Sequence, residues 1–194
     1  PVKWSCFHLY VIIDIYSRCV VGWMVAHRES ASLAEKLITE TCEKQGIERN
    51  QLTIHADRGT SMKSKLVAQL MADLGITKTH SRPHTSNDNP YSEAQFKTLK
   101  YQPQFPKSFG SLEDAQVYLR DFFDWYNRRH HHSGIGYFTP ESLHTGEAHE
   151  IRERRCQVLR IAYKKHPERF VKGVPLPPEI PEAAWINKPT KKVA

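Results

Sequence analysis

The sequence predicts an α/β fold, because short β-branched and aromatic runs alternate with segments whose apolar residues recur at helical spacing. Residues 7–13 and 19–26 are two such runs around a polar bend at residues 16–18, the pattern of an antiparallel hairpin. Leu33, Leu37, Ile38 and Cys42 then share one helical face. Ser32 with Glu35 is read as the capping box of that helix, and Gly46 as its stop. Residues 52–56 form a short buried strand that delivers Asp57 at its end. Val67, Leu70, Met71 and Leu74 give a second helical stripe closed by Gly75, and residues 77–81 return as a strand.

The stretch at residues 82–90, RPHTSNDNP, is rich in turn formers and is expected to be a loop. Glu93 opens the next amphipathic segment, with Phe96 and Leu99 as its expected anchors. Pro103 and Pro106 interrupt it. Ser111 then starts a long helix with Leu112, Ala115, Leu119, Phe122, Phe123 and Tyr126 on one face. Thr139-Pro140-Glu141 is a further helix start, with proline at the first helical position. Residues 152–172 carry eight basic side chains against two glutamates, and five prolines crowd the last 20 residues. That tail is expected to be extended and to pack poorly by itself.

Composition narrows the function. The chain has 194 residues, 39% hydrophobic and 25% charged, which suits one ordinary core. Lys and Arg outnumber Asp and Glu by 28 to 21, a net charge of +7 that points to a polyanionic partner. No stretch approaches the roughly 18–20 apolar residues a bilayer-spanning helix needs, so no membrane role is expected. Cys6, Cys19, Cys42 and Cys156 lack paired spacing and are read as reduced core thiols rather than a zinc site or disulfide framework.

Asp57 and Glu93 carry the chemistry. The first ends a strand within HADRGT, the second begins a helix, and 35 residues separate them. Carboxylates on separate elements can converge on two hard cations roughly 3.5–4 Å apart, which clamp the attacking and leaving oxygens of a phosphodiester. Mg²⁺ suits such a site because it accepts a few carboxylate oxygens and keeps positions for water and phosphate. Glu93, Lys97 and Lys100 stand at i, i+4 and i+7, so acid and bases share one helical face. As a bland alternative, Glu93 and Lys97 would form a surface ion pair worth about 0.2–0.5 kcal/mol.

HADRGT, the 35-residue gap and SEAQFKTLK resemble the catalytic core of retroviral-integrase-type transposases of bacterial insertion sequences, the acid-acid-glutamate recombinases. The likeness runs from LYVIIDIYSRCVVGWMVA through WYNRRHHHSGIGYFTPESL to AYKKHPERFVKGVPLPPEIPEAAWINKP. It implies a ribonuclease-H-like mixed sheet flanked by helices, with a catalytic core over residues 1–146 and a basic helix and Pro-rich tail over residues 147–194. It implies Asp57 and Glu93 as the second and third catalytic acids and metal ligands, with two Mg²⁺ or Mn²⁺ ions. Lys97 and Lys100 match bases that hold the DNA end, and Arg58, Arg128, Arg129, Arg154 and Arg155 complete the expected DNA-binding set.

In that family the first acid lies on a central strand ahead of the segment that begins here. The resemblance therefore implies an N-terminally truncated chain whose first strand is missing and which is inactive by itself. Asp14 also ends an apolar strand, but it matches a non-catalytic turn acid. His130, His131 and His132 are adjacent on a helix end and cannot easily share one ion. The expected partners are element-end and target DNA and further copies of the chain, in the cytoplasm at the nucleoid. A DNA-binding remnant without chemistry is the alternative, and a ribonuclease-H-like hydrolase of RNA is a weaker one.

Overall fold

The computed structural model describes residues 6–56, 62, 64–80 and 88–187. The first two strands, β1 (His8–Ile13) and β2 (Val20–Ala26), pair antiparallel from His8↔Ala26 to Ile13↔Val20, with a register irregularity between Ile12 and Ile13. Asp14 closes the hairpin, its N–H donating to the Cys19 carbonyl at 2.8 Å and its own carbonyl accepting from Arg18 N–H at 2.8 Å. Arg18 takes the left-handed conformation there (φ 66°).

Helix α1 (Ala31–Gln45) follows. Its cap is Ser30 and not the expected Ser32: Ser30 Oγ accepts from Leu33 N–H at 3.4 Å, while Ser32 Oγ lies 2.7 Å from Ser30 Oγ. Gly46 ends the helix at φ 62°, a left-handed turn in which glycine bears no Cβ penalty. On β2, Gly22 lets α1 approach closely, since a Cβ there would lie 2.1 Å from Thr41 Oγ1.

Strand β3 (Thr53–Ala56) and strand β4 (Thr77–His80) pair in parallel, joined through α2 (Lys65–Asp73). A parallel pair requires such a crossover. Ser64 caps α2 through Val67 N–H at 3.2 Å. Among the described residues the strands make two two-stranded sheets, β1 with β2 and β3 with β4. Ala34, Ile38 and Cys42 of α1 pack with Val67 and Met71 of α2 and with Ile76. Tyr10 and Ile12 of β1 and Ile54 of β3 close over this core.

Helix α3 (Pro90–Lys100) begins at Pro90, so the expected loop ends one residue earlier; residues 81–87 lie outside the described residues. Helix α4 (Leu112–Arg128) buries Ala115, Leu119, Phe122, Phe123 and Tyr126, as the stripe predicts. Burial raises the Tyr126 phenol to about 12. Helix α5 (Pro140–His144) is capped by Thr139, whose Oγ1 accepts from Ser142 N–H at 3.3 Å. Helix α6 (Ala148–Lys165) carries the basic segment.

The chain divides into two compact units. The first comprises residues 1–13, 20–122 and 185–194, the second residues 14–19 and 123–184. The second has its own core of Ile135, Phe138, Leu143 and Ala148, against which Tyr16, Ile151 and Ile180 pack. Over residues 175–187 the tail is irregular, as its prolines require, and it is anchored at a few points: Pro177 is buried, Ile180 packs against the second core and Glu179 pairs with Arg152, while Leu176 and Trp185 stay exposed. Cys6 is exposed, unlike the buried Cys19 and Cys42, and all four cysteines are free thiols. Among the described residues no helix is long and apolar enough to cross a membrane.

Candidate functional site

Glu93 sits in the first turn of α3, where the unsatisfied N–H groups and the helix dipole favour a carboxylate. Its side chain is exposed, as are those of Lys97 and Lys100 on the same face. Among the described residues none of the three makes an ion pair or side-chain hydrogen bond, so the surface pair between Glu93 and Lys97 is not formed. The opposite face seats the helix through Gln95 and Leu99, 1% and 3% exposed. Phe96, expected as an anchor, is only half-buried. Among the described residues both polar atoms of the Gln95 amide are buried without a hydrogen-bond partner, and each such group costs about 1–3 kcal/mol.

Asp57 follows directly on Ala56, the last residue of β3. Asp57 and Arg58 themselves lie outside the described residues. The strand that leads to them is held in register by His55, whose Nδ1 is 2.9 Å from Thr79 Oγ1 on β4. Among the described residues no three His, Cys, Asp or Glu side chains are grouped to hold a metal ion.

Asp14 is occupied in another way. Oδ1 accepts from Tyr16 N–H at 3.0 Å, and Oδ2 accepts from Ser17 N–H at 3.3 Å and Ser17 Oγ at 2.5 Å. His144 Nδ1 lies 3.2 Å from the same oxygen, tying the hairpin turn to the end of α5. Burial alone would raise this carboxyl, but the hydrogen bonds from His144, Ser17 and Tyr16 outweigh it and hold the pKa at about 2. These are the bonds of a turn brace.

The candidate cations divide into two kinds. Arg129 and Arg154 are exposed and without ion pairs among the described residues. Arg128 pairs with Asp124 at 3.0 Å and with Glu141 at 3.1 Å, which offsets its charge. Arg155 is a strut: it donates to the carbonyls of Gly136 at 3.0 Å and Tyr137 at 2.7 Å, and its guanidinium lies 4.4 Å from the Phe138 ring centre. Arg128 and Arg155, both in the expected DNA-binding set, thus already meet intramolecular acceptors, which a count of charges does not reveal. His130 packs on Trp125 at 5.0 Å and Tyr126 at 5.6 Å between ring centres. Burial first, then neighbouring positive charge, lowers the pKa of His130 and His132, so these rings add little charge at neutral pH.

Two family descriptions, both reading integrase core domain, match residues 1–86 and 74–140. Together they run unbroken through both Asp57 and Glu93. The chain belongs to the integrase core family. This integrase core is 28% identical over 144 residues to the transposase for insertion sequence element IS904 of Lactococcus lactis, covering 74% of the chain and 56% of that protein. It is also 28% identical over 137 residues to transposase InsF for insertion sequence IS3A of Escherichia coli, covering 70% of the chain and 47% of that protein. The chain thus spans about half the length of the curated relatives it matches. The catalytic core domain of BIV integrase superposes with a TM-score of 0.53 at 22% identity, over 73% of this chain and 88% of that one. That likeness establishes the fold: a mixed α/β integrase core.

Sequence reasoning missed a set of side chains at the start of the integrase core's α3. Asp88, read as a loop former, is only 2% exposed and accepts from Asn187 Nδ2 at 2.6 Å. Tyr91 OH donates to the Trp185 carbonyl at 2.7 Å. Both partners belong to the tail. The available signal was the Trp-Ile-Asn run at residues 185–187, an aromatic and an amide amid prolines.

Proposed function

We propose that this chain is the catalytic core of a DNA transposase, which hydrolyses a phosphodiester at an element end and joins the freed 3′-hydroxyl to target DNA. The observation that carries this reading is α3: Glu93, Lys97 and Lys100 are exposed, on one face and without ion pairs among the described residues, inside the region matched as integrase core. An acid beside two uncompensated bases suits a phosphate backbone with a cation. The carboxylate donors fit hard divalent ions, and Glu93 has no competing bond among the described residues; Asp57 and Glu93 would hold Mg²⁺ or Mn²⁺, two ions in the complete site. When bound, such ions stabilise charge on the attacking and leaving oxygens.

The chain's own residues do the rest. Lys97 and Lys100 bind the strand-end phosphates and orient the scissile bond, and Arg58 stands next to the catalytic Asp57. Arg129 and Arg154 contact DNA backbone elsewhere, together with Arg160, Lys164 and Lys165 on α6, which are exposed. The braced Asp14 is not one of the metal ligands. Joining two ends to one target calls for several copies of the chain on DNA, acting in the cytoplasm at the nucleoid. A ribonuclease-H-like sheet geometry and a core bounded near residue 146 belong to the same proposal.

The test is a joining assay with the protein that carries this chain, DNA bearing the element's ends, and Mg²⁺. Covalent joining to target DNA, abolished by chelation and restored by Mg²⁺ or Mn²⁺, is expected. DNA binding without joining would instead mark an inactive remnant, and cleavage confined to RNA would mark a hydrolase.

The lysines make a separate prediction. Lys97→Ala and Lys100→Ala each weaken binding to element ends and lower the slope of log affinity against log salt by about 1, because each contact releases condensed counterions. Titration at several salt concentrations checks this. An unchanged slope would show that the two lysines only solvate the helix.

A further inference from the structure

Helix α3 is poorly secured by its own sequence. Its N-cap residue, Asn89, makes no side-chain capping bond, so one of the usual stabilisers of a helix start is missing. Its buried face includes the unsatisfied Gln95 amide. The tail adds two bonds to the first turn. Asn187 reaches the buried carboxylate of Asp88 at 2.6 Å, and the Trp185 carbonyl receives the Tyr91 hydroxyl at 2.7 Å, across 99 and 94 residues of sequence. These two bonds land on either side of Asn89 and Pro90. They fix the residues that immediately precede Glu93.

The Asn187 backbone points the same way. It lies in the left-handed region at φ 56°, which most L side chains avoid and asparagine tolerates best. The conformation is compatible with an amide that must donate to an acid sealed from water. A carboxylate as buried as that of Asp88 needs such donors.

We propose that residues 185–187 are a latch that positions Glu93, with Asn187 and the Trp185 carbonyl acting through Asp88 and Tyr91 on the first turn of α3. The proposal rests on the catalytic reading of Glu93 given above. Asn187 and Trp185 touch no reacting atom; they are positioning residues. A ligand displaced by about 1 Å costs on the order of a hundredfold in rate. The orientation of one helical turn is therefore where a remote contact has the most leverage.

Asn187→Gly tests this without adding backbone strain, since glycine accepts the same φ while removing the donor. The variant is expected to lower the joining rate at saturating DNA at least tenfold and to raise the Mg²⁺ concentration for half-maximal rate. DNA-end affinity should stay within twofold. Hydrogen exchange of the Glu93 amide, which donates to the Asn89 carbonyl at 3.2 Å, and of the Ala94 and Gln95 amides in the next positions of α3 should accelerate at least tenfold while the amides of α1 stay protected. Asn187→Asp sets a second carboxylate against Asp88 and should be worse, and Asp88→Asn combined with it restores a donor facing an acceptor and should recover both readouts.

Unchanged exchange and unchanged rate in Asn187→Gly would overturn the latch. So would a rate loss that follows uniform loosening of α1 and α3 alike, or a swap that recovers neither readout. If the unaltered protein joins no DNA but its α3 amides still accelerate selectively in Asn187→Gly, the latch stands as a structural device and the catalytic reading fails. The two ideas can thus fail separately.

Discussion

Glu93→Gln abolishes DNA joining, by about three orders of magnitude or more, and leaves DNA binding within a few-fold. The substitution preserves size and removes one metal-ligand charge. The charge stabilisation a bound cation gives the reacting phosphate is worth several kcal/mol, and each 1.36 kcal/mol is tenfold in rate. Stability hardly changes, because the Glu93 carboxylate is exposed and makes no ion pair or side-chain bond among the described residues. Asp57→Asn has the same expected outcome. The measurement is joining under Mg²⁺ beside a thermal melt and an end-binding titration. Near-normal joining by either variant would remove that residue from the metal site.

The separation of activity from stability at Glu93 reflects how α3 is built. Gln95 and Leu99 seat the helix on one side, and the Glu93, Lys97 and Lys100 face makes no ion pair or side-chain hydrogen bond among the described residues. Charged groups that a fold does not use for itself remain available to a ligand. Arg128 and Arg155 show the converse, since their guanidiniums already satisfy acceptors of the second unit.

Those contrasts mark what the sequence could show. The β1–β2 hairpin, the α4 stripe and the stop at Gly46 were legible because each follows from local pattern: β-branched runs, period-3.6 burial, and a residue that accepts positive φ. The α1 cap was misplaced by two residues because Ser30 and Ser32 are chemically equal and only backbone direction chooses between them. Gln95 was overlooked because polarity argues against burial, yet it lies one turn from Leu99 on the face that meets the core. The exposed acid and bases of α3 were readable as a stripe, since spacing alone puts them together. The bonds from Asp88 to Asn187 and from Tyr91 to Trp185 were not, because no local pattern links residues 99 or 94 positions apart. A proline-rich composition sets backbone extension and says nothing about where the intervening side chains dock.

Asp14→Asn gives the opposite dissociation from Glu93→Gln: lower stability with joining retained. The Asp14 carboxylate accepts three hydrogen bonds within its turn and faces His144, and these hold its pKa at about 2 against an ordinary 3.8. Because the folded-state pKa is depressed, the stabilisation is fully present above about pH 4 and is lost as pH falls through about 2. Linkage sets its size at ~1–2 kcal/mol once discounted for solvent screening of a side chain that is 31% exposed. Denaturant titrations from pH 7 to pH 2 should show the unaltered protein losing that increment between about pH 4 and 2. Asp14→Asn should start lower at pH 7 and stay flatter across the same window, because it has no carboxyl to protonate there. Its Mg²⁺-dependent joining at neutral pH should remain within a few-fold, since the bonds of Asp14 are spent bracing the turn between β1 and β2. If the variant kept full stability but lost joining and its response to Mg²⁺, Asp14 would be a metal ligand and the brace would be incidental.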